Sequence, residues 1–199
     1  VYREFVYDPD VKATSILQVP GADERGVVID SVSKRFSMCG ARIGNVVTKN
    51  RELWQALLRF GQARLCPPYL EQVASAAAYD SFDEYIGPVI EEYKRRRDVL
   101  YDALKKMPGV KTFKPEGAFY TVAALPVDDA DKFAAWLLSD FWKREGLKET
   151  VMVAPASGFY VTPGAGKNEV RIAYVLNIEA LERSMELLAR ALEVYPGRV

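Results

Sequence analysis

The residues best suited to chemistry lie in one stretch, Ser31-Val32-Ser33-Lys34-Arg35-Phe36-Ser37-Met38-Cys39-Gly40-Ala41-Arg42-Ile43-Gly44. A lysine follows a short apolar run, Gly26-Val27-Val28-Ile29-Asp30, that reads as a buried strand of a parallel sheet, and α/β sheets bind their ligands just beyond such strand ends. Two hydroxyls precede the lysine, and an arginine follows eight residues later. Hydroxyls and a guanidinium are groups that hold a phosphate. A partly desolvated amine beside a cation is shifted toward its neutral, nucleophilic form and can attack an aldehyde. Against this stands the ordinary reading of a Lys and an Arg near a strand end, as solvated surface charges; the spacing of those two residues alone does not displace it.

Other chemistries are excluded by composition. The chain has 199 residues and no histidine, which removes Ser-His-Asp and Cys-His nucleophiles and most transition-metal sites, so no metal site is expected. Cys39 and Cys66 form no CxxC pair and read as thiols of a cytosolic protein. Lys+Arg and Asp+Glu both number 27, so net charge points to neither nucleic acid nor an anionic membrane. No apolar run is long enough to span a bilayer, and the start lacks the regions of a signal peptide, so a cytoplasmic location is expected. The chain opens on Val1-Tyr2-Arg3-Glu4-Phe5 without Met, which reads as a piece of a longer polypeptide.

The elements that must position Lys34 emerge from periodicity. Residues 43–48 read as a second strand, and 51–64 as a helix with Leu53, Trp54, Leu57, Leu58 and Phe60 at helical spacing. Residues 70–79 form another helix, and after Pro88 a longer one continues, from about Tyr85 to Met107, carrying Ile90, Tyr93, Arg97, Leu100, Leu104 and Met107 on one face. Pro108-Gly109 ends it. Strands are then predicted over 110–113, 119–124, 151–154 and 170–174, a helix over 131–144, and a last helix over 178–194 capped by Asn177. Alternating strands and helices make the class α/β or α+β.

Three lesser patterns fall to plain readings. Pro163-Gly164-Ala165-Gly166-Lys167-Asn168 lacks the first glycine and the Ser/Thr of a P-loop. Asp128-Asp129-Ala130-Asp131 is a helix start, and Lys94 to Arg97 a solvated helix face paired with Glu91 and Glu92.

The fourteen-residue string resembles the signature of the fold-type I, class I pyridoxal-phosphate-dependent aminotransferases, Ser-x-Ser-Lys followed after five residues by Gly-x-Arg-x-Gly, and it meets every fixed position. The resemblance implies that Lys34 is the catalytic residue and carries pyridoxal 5'-phosphate. It implies that Ser31 and Arg42 bind the cofactor phosphate with Ser33 close by. A second match, Asn168-Glu169-Val170-Arg171-Ile172-Ala173-Tyr174, is similar to the family's small-domain strand, and makes Arg171 the clamp for the substrate α-carboxylate. The opening Val1-Tyr2-Arg3-Glu4-Phe5 resembles the family's sequence from the tyrosine of its Asp-x-x-Tyr onward. That makes Tyr2 the partner of the cofactor's 3'-oxygen and places the pyridine-nitrogen aspartate before residue 1. One departure is visible. Pro155-Ala156-Ser157-Gly158-Phe159-Tyr160 stands where the family often has Pro-Gly-x-x-Phe-Gly, and it bears on substrate identity.

The implied fold is α/β: residues 1–84 as the C-terminal part of a PLP-binding large domain containing part of its parallel sheet, and residues 85–199 as a complete α+β small domain with its connecting helix. The lobe from about residue 85 onward is expected to be the self-sufficient one. The implied function is transamination between an amino acid and a 2-oxo acid, resembling aspartate aminotransferases, with this chain a C-terminal portion inactive alone and its parent a homodimer. A C–S lyase of the same fold and a non-catalytic binding or dimerisation module are the alternatives.

Overall fold

A computed structural model describes residues 1–199. The chain divides into two compact units, Val1–Ile90 and Glu91–Val199.

In the first unit the N-terminal segment holds a bridge residue at Val6, several turns and a 3-10 turn at Ile16–Gln18, which Ser15 and Gln18 close as a capping box. Strand β1 (Val27–Ser31) runs directly into the one-turn helix α1 (Val32–Arg35). A 3-10 turn at Cys39–Ala41 leads to β2 (Gly44–Thr48). Helices α2 (Arg51–Arg64) and α3 (Tyr69–Asp80) come next; Asn50 starts α2 by accepting a hydrogen bond from the Leu53 amide. Helix α4 (Phe82–Lys106) runs through the division between the units and contains Pro88.

The two strands of this unit do not pair with each other in parallel. β1 and β2 are antiparallel, with Val27 opposite Thr48 and Ser31 opposite Gly44. A parallel return needs a crossover of about a dozen residues or more, usually a helix packed on the sheet. Here α1 is a single turn, and the Ile43 carbonyl accepts from the Val32 amide (3.3 Å) and the Ser31 hydroxyl (2.9 Å), so the chain comes back beside the point it left. Nor is β1 the wholly buried strand that its apolar run suggests: Ile29 is 72% exposed, and Val46 and Val47 on β2 are exposed as well. Helices α2 and α3 likewise present Trp54, Leu58, Phe60, Tyr69 and Leu70 outward.

The second unit is a four-stranded antiparallel sheet of order β3-β4-β6-β5, formed by β3 (Lys111–Thr112), β4 (Tyr120–Ala124), β5 (Ala154–Pro155) and β6 (Glu169–Ala173). The two edge strands are shorter than the sequence suggests. Helix α5 (Ala130–Trp136) passes through a π turn at Leu137–Phe141 into α6 (Trp142–Arg144), so the single helix expected over 131–144 is interrupted. Asp129 caps α5, accepting from the amides of Asp131 and Lys132. The last helix, α7 (Ile178–Val194), starts at Asn177, which accepts from the Ala180 amide.

One face of this sheet is dry. Ala123, Val170 and Ile172 meet a core of Leu100, Leu104, Phe133, Leu137, Phe141, Leu181 and Leu188, almost all of them inaccessible to water. The buried Arg97 of α4 is tied to this core by a hydrogen bond to the Pro115 carbonyl and an ion pair with Asp98. No helix is long and apolar enough to cross a membrane.

The contrast in burial yields a prediction. Phe133→Ala, at a fully buried ring, lowers the unfolding free energy of the second unit by about 3–5 kcal/mol through lost transfer energy and the cavity left behind. Leu58→Ala, on the exposed side of α2, costs less than about 1 kcal/mol. Urea titrations followed by tryptophan fluorescence compare the two.

Candidate active-site elements

The loop between β1 and β2 is closed by side chains at both ends. Ser31 caps α1, its oxygen accepting from the Ser33 amide at 3.0 Å. It also lies 2.7 Å from the Ser33 hydroxyl. Gly44 is opposite Ser31, and a Cβ there would sit 2.8 Å from the Asp30 carbonyl oxygen, so only glycine allows β2 to approach β1 this closely. Arg42 has φ 57°, in the left-handed region, and donates from Nη1 to the Cys39 carbonyl at 2.8 Å. Its other guanidinium N–H groups face outward, since the residue is exposed. Lys34, half-buried on α1, therefore lies inside a closed loop whose two ends carry the hydroxyls of Ser31 and Ser33 and the cation of Arg42.

What holds this loop in place is a residue to which the sequence alone assigns no role. Arg35, beside Lys34, is 1% exposed. Its guanidinium pairs with Asp30 and with Glu4, each at 2.9 Å, and donates to the Tyr79 hydroxyl at 2.5 Å. Arg3 adds a second cation at 3.3 Å from Asp30. Burial pushes the Asp30 carboxyl up, but the Arg35 hydrogen bond, the Ser31 amide and the charges of Arg35 and Arg3 outweigh it and hold the group below the ordinary carboxylate range. Phe36 docks the end of α1 among the rings of Tyr79, Phe82 and Tyr85, at centroid distances of 5.1, 6.0 and 5.8 Å. Through Arg3 and Glu4 the same charge cluster anchors the N-terminal segment that carries Tyr2.

Arg171 belongs to the second unit. It sits on β6 opposite Val122 of β4 and Ala154 of β5. Alternation along β6 buries Val170 and Ile172 and turns Arg171 to the open face. Its surroundings there are aromatic: the guanidinium carbon lies 5.7 Å from the Tyr120 ring centre and 5.2 Å from that of Phe159. A planar cation flanked by rings keeps its N–H edges for a planar anion such as a carboxylate.

Known proteins resemble this chain along nearly its whole length. A family model described as "Aminotransferase class I and II" matches residues 1–188. An aspartate aminotransferase of Pyrococcus abyssi is 32% identical, covering 96% of this chain and 47% of that protein. An aromatic-amino-acid aminotransferase of Thermococcus litoralis is 33% identical, over 97% of this chain and 47% of its own length. Among solved structures, an aromatic aminotransferase from Pyrococcus horikoshii superposes with a TM-score of 0.82 at 31% identity, covering 97% of this chain and 49% of that one. The chain thus spans about half the length of the relatives it matches.

The sign of the pH dependence is set by Asp30. A carboxyl held below its unfolded value stabilises the fold fully above that value, and the contribution is lost as pH falls through the depressed one. Acidification below about pH 4 therefore weakens the first unit. Asp30→Asn lowers stability at neutral pH and flattens the acid limb of a plot of denaturation midpoint against pH. Arg35→Leu, which leaves Asp30 and Glu4 to share the more exposed Arg3, costs about 3 kcal/mol in urea unfolding.

Proposed function

The chain belongs to the class I and II aminotransferases, and from that premise we propose that it is the part of a pyridoxal-phosphate-dependent aminotransferase that carries the cofactor lysine and the carboxylate clamp, moving an amino group between an amino acid and a 2-oxo acid. The observation that carries the reading is the closed loop of residues 31–44, with Lys34 between two hydroxyls and a left-handed arginine.

The donor set fits the cofactor. Ser31, Ser33 and Arg42 offer neutral and cationic donors suited to a phosphate dianion, and Lys34 offers the amine for an aldehyde. Tyr2, on the segment anchored by Arg3 and Glu4, is the residue for the 3'-oxygen. Bound there, pyridoxal phosphate would supply the carbon that receives the amino group and a ring that takes up the electrons released at the substrate's α-carbon.

The chain's own residues have separate tasks. Lys34 would hold the cofactor through its amine. Once released, that amine would take the proton from the substrate Cα and hand it on, so one group would serve as base and as acid. Arg171 pairs both oxygens of the substrate carboxylate at once, which holds that group in one orientation. The Arg35 cluster keeps α1 rigid, so Lys34 moves only through its own side-chain torsions. A lyase reading uses the same lysine, but the Pyrococcus abyssi and Thermococcus litoralis relatives carry aminotransferase names, which favours amino transfer.

Borohydride reduction of this chain incubated with pyridoxal phosphate, followed by peptide mass spectrometry, tests the assignment. The expected result is a pyridoxyl adduct on Lys34 that Ser31→Ala and Arg42→Ala reduce. Label spread over the surface lysines, with none concentrated at Lys34, would overturn it. In the protein that contains this chain, Lys34→Ala lowers amino transfer by about 10²-fold or more, and Arg171→Lys raises KM about tenfold through loss of the bidentate pair.

A further inference from the structure

Two consecutive loop residues reach two alternate residues of β6. Phe159 stacks its ring on Arg171, with 5.2 Å between ring centre and guanidinium carbon. Tyr160, next along, donates its hydroxyl to Glu169 Oε2 at 2.5 Å. Glu169 and Arg171 are two apart on one strand, so their side chains leave the same face. The loop therefore crosses the open face of β6 and grips it at two successive points.

The grip is built rather than incidental. Gly166, with φ +70°, packs so tightly under Tyr160 that a Cβ there would lie 2.5 Å from two atoms of the ring. The Ala156 amide donates to the Glu169 carbonyl at 2.9 Å, which pins the start of the loop to the same strand. The Ser157 hydroxyl donates to Asp131 at 2.7 Å. Phe159 itself is 59% exposed, so little burial holds its ring in place. The tyrosine sits where the aminotransferase pattern often has glycine, a residue with no hydroxyl to donate.

We propose that Tyr160 is a positioning residue for the carboxylate clamp: its bond to Glu169 seats Phe159 on Arg171 and keeps the neighbouring carboxylate engaged, leaving the guanidinium edge to an incoming carboxylate. The proposal rests on the reading of Arg171 as that clamp. A glutamate two residues from an arginine on an exposed face is otherwise a ready internal competitor for it. With the Tyr160 hydroxyl bound, Glu169 has a partner of its own. The hydrogen bond to Glu169 also pushes the Tyr160 phenol above its ordinary range, so the latch keeps its donor further into the alkaline range.

The test uses the whole 199-residue chain labelled with ¹⁵N-arginine, the Arg171 Nε–Hε resonance as reporter and sodium acetate as carboxylate probe. Phe159→Leu calibrates the ring-current displacement due to Phe159. Tyr160→Phe, which removes one exposed oxygen, is expected to abolish most of that displacement and to weaken acetate binding about fivefold, the worth of about one hydrogen bond. Glu169→Gln, whose amide oxygen still accepts from Tyr160, is expected to keep the displacement. Retention of the full displacement and affinity in Tyr160→Phe, with Arg171 still responding to acetate, overturns the latch and leaves the clamp intact. If acetate moves no Arg171 resonance in the unsubstituted chain, the clamp itself falls and the proposal with it.

Discussion

The first unit is organised around one buried cation. Arg35 cannot be left without anions once it is 1% exposed, because an isolated guanidinium in a dry setting costs several kcal/mol. Its partners, Glu4, Asp30 and Tyr79, come from three different segments, so meeting its needs fixes the N-terminal stretch, the end of β1 and α3 in one arrangement. Everything near Lys34 inherits that arrangement. α1 is too short to be stable by itself, since one helical turn does not repay its own nucleation. It persists because Arg35 and Phe36 are held from below and Ser31 caps it from the front. The lysine next to Arg35 is thereby carried on a rigid support while its own side chain remains half-exposed.

A different constraint governs Arg171. Strand alternation, not charge, decides where it points: with Val170 and Ile172 taken up by the core, Arg171 has only the open face available. Once there it is framed by rings from two places in the chain, Tyr120 through the register of β4 with β6, and Phe159 through the loop after β5. The register matters because a slip of one residue in β6 would bury the guanidinium and expose the valine and isoleucine. The apolar core of the second unit is thus what guarantees the polar feature on its other side.

How much of this is legible in the sequence depends on the distance between the residues involved. The Lys34 motif is contiguous, so its hydroxyls, lysine and arginine can be read as one unit, and the helix periodicities after residue 85 are plain because each rests on neighbours three and four apart. The pairing of β1 with β2 is not legible. A run such as Gly-Val-Val-Ile-Asp is compatible with a parallel or an antiparallel strand, and only the return of Ile43 to Ser31 and Val32 decides it. The Arg35 cluster is equally hidden, because Glu4 and Tyr79 lie far from it in sequence and an arginine beside a lysine looks like a surface pair. The aromatic frame of Arg171 is half visible: Phe159 and Tyr120 both stand in family-like stretches, but their convergence on one guanidinium is a property of the sheet.

The two arginines show why residue type alone does not assign a role. Arg35 and Arg171 carry the same head group, and the difference lies in what surrounds it. Around Arg35 the charge is met by Asp30 and Glu4 and one N–H by the Tyr79 hydroxyl, so the group is structural and its charge is cancelled locally. Around Arg171 the neighbours are π faces, which attract the cation without occupying its in-plane N–H edges. Aromatic flanking thus stabilises the guanidinium where it stands while its hydrogen-bonding capacity stays available, as a recognition site for a carboxylate requires. An acid in place of either ring would form an internal salt bridge and turn Arg171 into a second Arg35. That is why the partner given to Glu169, the carboxylate beside it on the strand, belongs to the same logic as the rings themselves.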